Sequence, residues 1–280
     1  IQKSGTQALT LSATGNVTND GTIYAATDLN IRAEKISGIG GTIQVKGGLV
    51  LDAVAIDLQQ QKLLSDKAIS LKANTVTVTQ SSLQAKNLDL LSSRSLVLSG
   101  SEIGTETDVS MAGTDIVASN LRVMSQNNIA INANGKLALD GSQILGKGNV
   151  DLRGQGITTN AAAVNASQLY LNTGAGNLDN NAGTLYGGNR LQIDGSNINN
   201  KEGYITSGKQ LIVDANHTSL NNASGTITAP DSALKNFTTI NNHGGTLNVS
   251  HDLMLSGSLD NQKGKLIAGG NIHVSGAAID

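Results

Sequence analysis

Cysteine is absent from the 280 residues. That excludes disulfides and thiolate metal sites, and it suits a chain that crosses an oxidising compartment while extended. Tryptophan is also absent, phenylalanine occurs once and aromatics total 2%, so the aromatic lining of an ordinary small-molecule pocket is not on offer. Charged residues make up only 14%, with 19 basic against 21 acidic. This balance provides no electrostatic footprint for nucleic acid or an anionic membrane surface. No apolar run approaches the length of a membrane span, and Ile1-Gln2-Lys3-Ser4-Gly5 carries no apolar core of a secretory signal. Proline occurs once. What remains is Gly, Asn, Ser and Thr, interrupted by Leu, Ile and Val at regular spacing, which is not a disordered composition.

The spacing is a repeat. Leu178-Asp179-Asn180-Asn181-Ala182-Gly183 returns from Ile198, Leu220, Ile240 and Leu259, at steps of 20, 22, 20 and 19 residues. An aliphatic residue follows seven positions after each start (Leu185, Ile205, Ile227, Leu247, Leu266), and an aliphatic pair follows later in four of the five copies (Leu191/Ile193, Leu211/Val213, Leu253/Leu255, Ile272/Val274). Upstream the frame continues from Val17, Ile36, Ile56, Val76, Leu96, Ile116, Leu137 and Ile157. Aliphatic–polar alternation is the period of a strand buried on one face, and no stretch carries a helical period. A fixed period near 20 is the mark of a solenoid. The expected fold is all-β: a right-handed parallel β-helix of about 20 residues per coil, with about thirteen full coils. At about 4.8 Å between strands, such a stack would be a rod on the order of 60 Å long. The expected organisation is one continuous fragment of a longer rod. Residues 1–16 form a partial coil, 17–55 coils of Asn/Gly type, 56–177 coils with apolar corners, and 178–280 coils with an asparagine ladder.

The third residue of each coil should point inward. In 56–177 it is mostly apolar (Leu58, Val78, Leu98, Ala118, Leu139, Thr159), and in 178–280 it is Asn180, Asn200, Asn222, Asn242 and Asn261. Stacked asparagines can bond amide to amide, which satisfies groups that are costly to bury alone. The glycine three residues later (Gly183, Gly203, Gly225, Gly245, Gly264) suits a corner with positive φ.

The phrase Leu-Asx-Asn-x-x-Gly-x-Leu/Ile, followed by Gly-x-x-Leu-x-Ile/Val, resembles the repeats of filamentous haemagglutinin. These repeats build the large exoproteins of bacterial two-partner secretion, including adhesins and contact-dependent growth inhibition effectors. Leu96-Val97-Leu98-Ser99-Gly100-Ser101-Glu102-Ile103 looks like a second flavour of the same repeat. The resemblance implies a secreted or cell-surface chain exported through an outer-membrane transporter. It implies no catalytic motif and no cofactor.

The residues themselves offer little chemistry. Glu102, Glu106 and Asp108 are the closest acids in the scattered acidic set, and they read as a solvated outer face rather than the converging carboxylates of a polysaccharide-cleaving β-helix. His217, His243, His251 and His273 fall at different coil positions, without metal-ligand spacing. Tyr186 and Tyr204, in adjacent coils, are the candidate contact patch, and Tyr170 lies in another strand. Pro230, beside the irregular stretch Asp231–Phe237, predicts a corner or bulge with a local loop. The expected function is a non-catalytic, monomeric shaft segment that projects an adhesive or toxic tip. The alternatives are a lateral face that binds a target-cell receptor or glycan, and a polysaccharide-degrading enzyme.

Overall fold

Alternation decides which side chains turn inward, and the period of about 20 decides what they meet. In the computed structural model, which describes residues 1–280, like positions of successive coils pair as parallel strands. The chain is an all-β parallel solenoid of about 14 turns with no helix. It divides into two units, Ile1–Gly135 and Lys136–Asp280.

In the first unit the coil starts stack in register: Val17 on Ile36, Ile56, Val76, Leu96 and Ile116. A second inward column runs Ile23, Ile43, Leu63, Leu83, Ile103 and Val123. Leu49, Leu51, Leu63, Ile69 and Leu71 have no solvent exposure at all, each side chain contributing about 1.5–3 kcal/mol of transfer free energy. In the second unit Leu137, Ile157, Leu178, Ile198, Leu220, Ile240 and Leu259 form the equivalent column. Between these columns lie outward polar residues, so each coil is dry on one side and wet on the other.

Three separate short strands per coil occur in part of the chain, as in Ser82–Ala85, Asn87–Ser92 and Ser95–Val97. Elsewhere two faces merge into one bent strand, as in Leu29–Ile39 and Leu49–Gln59. Pairing explains the merger: Ala33 partners Ala53 and Lys35 partners Ala55, so the ladder runs on around the bend. The long strands Ala163–Asp179 and Thr184–Asn199 turn the same corner through register shifts.

The loop expected at Pro230 is corrected. Pro230 lies at the bend between Thr226–Ala229 and Asp231–Asn241. The second of these strands pairs in register with its predecessor from Asp231 on Gln210 to Lys235 on Asp214, and shifts register only around Phe237, opposite Thr218. The irregular sequence changes the filling instead. Ser232 stands in the column of Leu191 and Leu211, while Phe237 is buried in the same coil. The missing amide hydrogen of Pro230 is tolerated at this bend, and its carbonyl accepts from Ser250 N at 3.2 Å.

Because each coil contacts its neighbours in one frame, the frame is the unit of tolerance. Deleting residues 200–221, one full period that joins Asn199 to Asn222, should retain a cooperative urea transition with m reduced by roughly a tenth, in proportion to the surface removed. Deleting 200–210, half a period, places polar faces in the core and should abolish the transition of the second unit. Circular dichroism melts of both variants check this.

Candidate functional site

The inner corner is where sequence and packing are most tightly coupled. Asn180 Nδ2 donates to Asn200 Oδ1 at 2.8 Å, Asn200 to Asn222 at 2.8 Å, Asn222 to Asn242 at 2.8 Å and Asn242 to Asn261 at 2.6 Å. Each Nδ2 also reaches the glycine carbonyl of its own coil, for example Asn200 to Gly203 O at 3.1 Å. Both amide hydrogens are therefore placed. The first four asparagines are fully buried, and an unpaired buried amide costs about 1–3 kcal/mol. Above them Thr159 Oγ1 donates to Asn180 Oδ1 at 2.9 Å, so a residue of the preceding corner type caps the ladder.

The expected reason for the glycines is corrected. The left-handed residue is the one before: Ala182, Glu202, Ser224, Gly244 and Lys263, with φ between 54° and 63°. Gly183, Gly203, Gly225, Gly245 and Gly264 are required by space. A methyl group at Gly225 would lie 2.1 Å from the Asn200 carbonyl oxygen and 2.7 Å from Asn222 Oδ1. The same left-handed position recurs where the corner is apolar, at Gln60, Gln80, Gly100, Asn120, Gly141 and Ala161.

What changes between corner types is a pair of sizes. With Leu58, Val78 or Leu98 inward, the position three later is Gln61, Ser81 or Ser101, all buried. Ser81 Oγ accepts from Gln61 N at 2.9 Å, and Ser101 Oγ from Ser81 N at 3.2 Å. Where Gly38 stands inward, Gln61 Nε2 reaches Asn19 O two coils away at 3.0 Å. A Cβ on Gly38 would meet that same carbonyl at 2.1 Å.

Of the other sequence candidates, the tyrosines fall on adjacent coils and the acids are engaged separately. Tyr204 is 53% exposed and pairs with Thr184 and Thr226, while Tyr186 pairs with Asn165 and Thr206. The two tyrosines are diagonal neighbours on one outward face. Glu102 forms an ion pair with Arg122 at 3.7 Å. Asp108 Oδ1 accepts from Asn127 Nδ2, Asn128 N and Asn128 Nδ2 at 2.9–3.1 Å, which makes it a corner brace. No three His, Asp or Glu side chains stand close enough to hold a metal ion.

A feature that sequence reasoning passed over is a trough on one lateral face of the second unit. Register stacks Asn149, Gln168 and Arg190 in one outward column, and Asp151, Tyr170 and Gln192 in the next. Arg153 grips Asp151 through Nε at 2.9 Å and NH2 at 2.8 Å, which raises its already high pKa, and its guanidinium lies 5.4 Å from the Tyr170 ring centre. Burial raises the Tyr170 pKa, reinforced by its bond to the Asp194 carboxylate and opposed by the Asn172 donor and Arg153. At the trough's edge, burial alone would raise the Asp214 pKa. Donation from Asn236 and Asn216 N, together with Lys235, lowers it instead.

Fold and corner together define a class: a parallel β-solenoid repeat protein with an internal amide ladder and polar lateral faces. The haemagglutinin repeat model matches residues 2–38 and 168–280, more than half of the chain. The chain belongs to that family, and its repeats are of the filamentous haemagglutinin type. No curated protein and no solved structure matches it.

Asn222→Leu leaves one Asn200 Nδ2 hydrogen and the Asn242 Oδ1 without their ladder partners and should cost about 2–4 kcal/mol. Gly225→Ala forces backbone apart and should cost at least about 1–3 kcal/mol. Asn221→Ala, one residue outward, should cost about 1 kcal/mol or less. Urea midpoints of the three variants check the order.

Proposed function

We propose that the chain is a non-catalytic, extracellular, adhesin-like shaft segment of a bacterial surface protein. It is exported through an outer-membrane partner of two-partner secretion and carries an adhesive or toxic tip outward. The single observation that carries this reading is the haemagglutinin repeat match on coils whose periodic positions are mostly core or corner residues. Side chains committed to stacking are not available for turnover. Of the acids that a polysaccharide-cleaving reading would need, Glu102 is engaged as an ion-pair partner and Asp108 as a corner brace. An outward surface rich in Asn, Thr, Ser and Gln suits long exposure to water, and a cysteine-free chain suits export before folding.

An antibody raised to residues 136–280 should label intact, unpermeabilised cells of the source bacterium, and external protease should remove the label. Labelling that requires lysis would overturn the extracellular placement. Release of reducing ends from a polysaccharide panel by the purified chain would overturn the non-catalytic assignment.

A further inference from the structure

The lateral trough of the second unit holds its two arginines in different ways. Arg153 is held by Asp151 at 2.8 Å. Arg190 is held by an amide instead: its NH2 donates to Gln192 Oε1 at 2.7 Å. Gln192 is itself fixed, since its Nε2 donates to Asp194 Oδ2 at 2.8 Å. The relay sets the plane of the Arg190 fork without neutralising its charge, and its remaining donors carry no bond to the protein. A guanidinium in a fixed plane with free N–H groups is the complement of a carboxylate, which it takes bidentately.

The surroundings specify what bears that carboxylate. Within the trough stand Gln168, the Tyr170 hydroxyl bonded by Asn172 Nδ2 at 3.1 Å, and the Asp151 carboxylate. These groups donate and accept at close intervals, the pattern that hydroxyl groups satisfy in both directions. Asp151 and Asp194 place negative charge on the same face. The side chains of an acidic peptide bring carboxylates on methylene stems and leave these donors and acceptors unmatched, whereas a hydroxyl-rich chain with one carboxylate per unit matches them. Ordering is supplied in advance by the Arg153–Asp151 clamp, the Arg153–Tyr170 contact and the Gln192 relay, so little side-chain entropy is lost on binding. Residues within each column stand one strand spacing apart, about 4.8 Å, and present this surface to a linear chain lying along the stack direction.

We propose that this trough binds the uronic-acid units of an acidic polysaccharide, with Arg190 taking the sugar carboxylate and Tyr170, Gln168 and Asp151 taking its hydroxyls. The site is open and shallow, so a short oligosaccharide should bind weakly and a long chain should gain by repeated engagement. The inference goes beyond the shaft reading, and its failure would leave the cell-labelling outcome untouched.

The test is calorimetric titration of the whole chain with oligogalacturonate. Comparators are its methyl ester, a sulfated dextran oligomer and poly-glutamate. Binding is expected for oligogalacturonate alone. Arg190→Gln should weaken it at least tenfold, and Tyr170→Phe several-fold, with melting temperatures unchanged. Arg32→Gln, in the first unit, should have no effect. The proposal is overturned if oligogalacturonate does not bind, if Arg190→Gln binds as the parent does, or if poly-glutamate or sulfated dextran binds equally well. Equal binding of those comparators would mean that bare charge is being read.

Discussion

Backbone groups of one coil find their hydrogen-bond partners only in the coils stacked on it, and buried side-chain amides obey the same rule. Asn200 N donates to Asn221 O at 2.7 Å, and Asn200 Nδ2 to Asn222 Oδ1 at 2.8 Å, so main chain and side chain point to the same neighbour. This shared register is the constraint on which the rest depends. Shifting one coil by one residue would turn its aliphatic column outward and break both ladders together. It also explains the outer surface. Opposite charges sit one coil apart, as in Lys35–Asp57 and Lys46–Asp66, where each exposed pair contributes about 0–1 kcal/mol.

The corner solves one packing problem in two ways. Both versions use a left-handed residue to turn the chain, and both must fill the space beneath it. Inward Val78 and Leu98 go with a serine three residues on, whose hydroxyl accepts a neighbouring backbone N–H, and Leu58 goes with Gln61. An inward Asn goes with a glycine, because the ladder places an asparagine carbonyl where a Cβ would be. Thr159 joins the two by donating to Asn180. The family match covers the coils rich in Asn and Gly and omits 39–167, yet the same register continues on either side of residue 39. Frame and corner filling are separate properties.

That separation explains what could be read from the sequence. The frame was legible because its signal is aliphatic and periodic: the starts from Val17 to Ile116 in the first unit, and from Leu137 to Leu259 in the second, pair residue for residue. The left-handed position was not legible, because Gln60, Ala161, Glu202 and Lys263 accept that conformation without being selected for it, each at about 1–2 kcal/mol. Glycine beside it looked like the turning residue while serving a steric need. Phe237 and Ser232 looked like a loop because a volume exchange within a coil leaves no periodic trace. The trough was hidden for the opposite reason. Asp151, Tyr170 and Gln192 are each the polar residue between two core aliphatics, and only the coil register places them side by side.

The most direct test of the ladder is side-chain amide hydrogen exchange in chain labelled at asparagine nitrogen. The Nδ2 hydrogens of Asn200, Asn222 and Asn242 should be protected as strongly as the backbone amides of Leu211 and Ile205, because opening either requires neighbouring coils to separate. Those of Asn199, Asn221 and Asn241, one residue outward, should exchange orders of magnitude faster. Equal exchange of the two rows would contradict the ladder as the element that couples coil to coil.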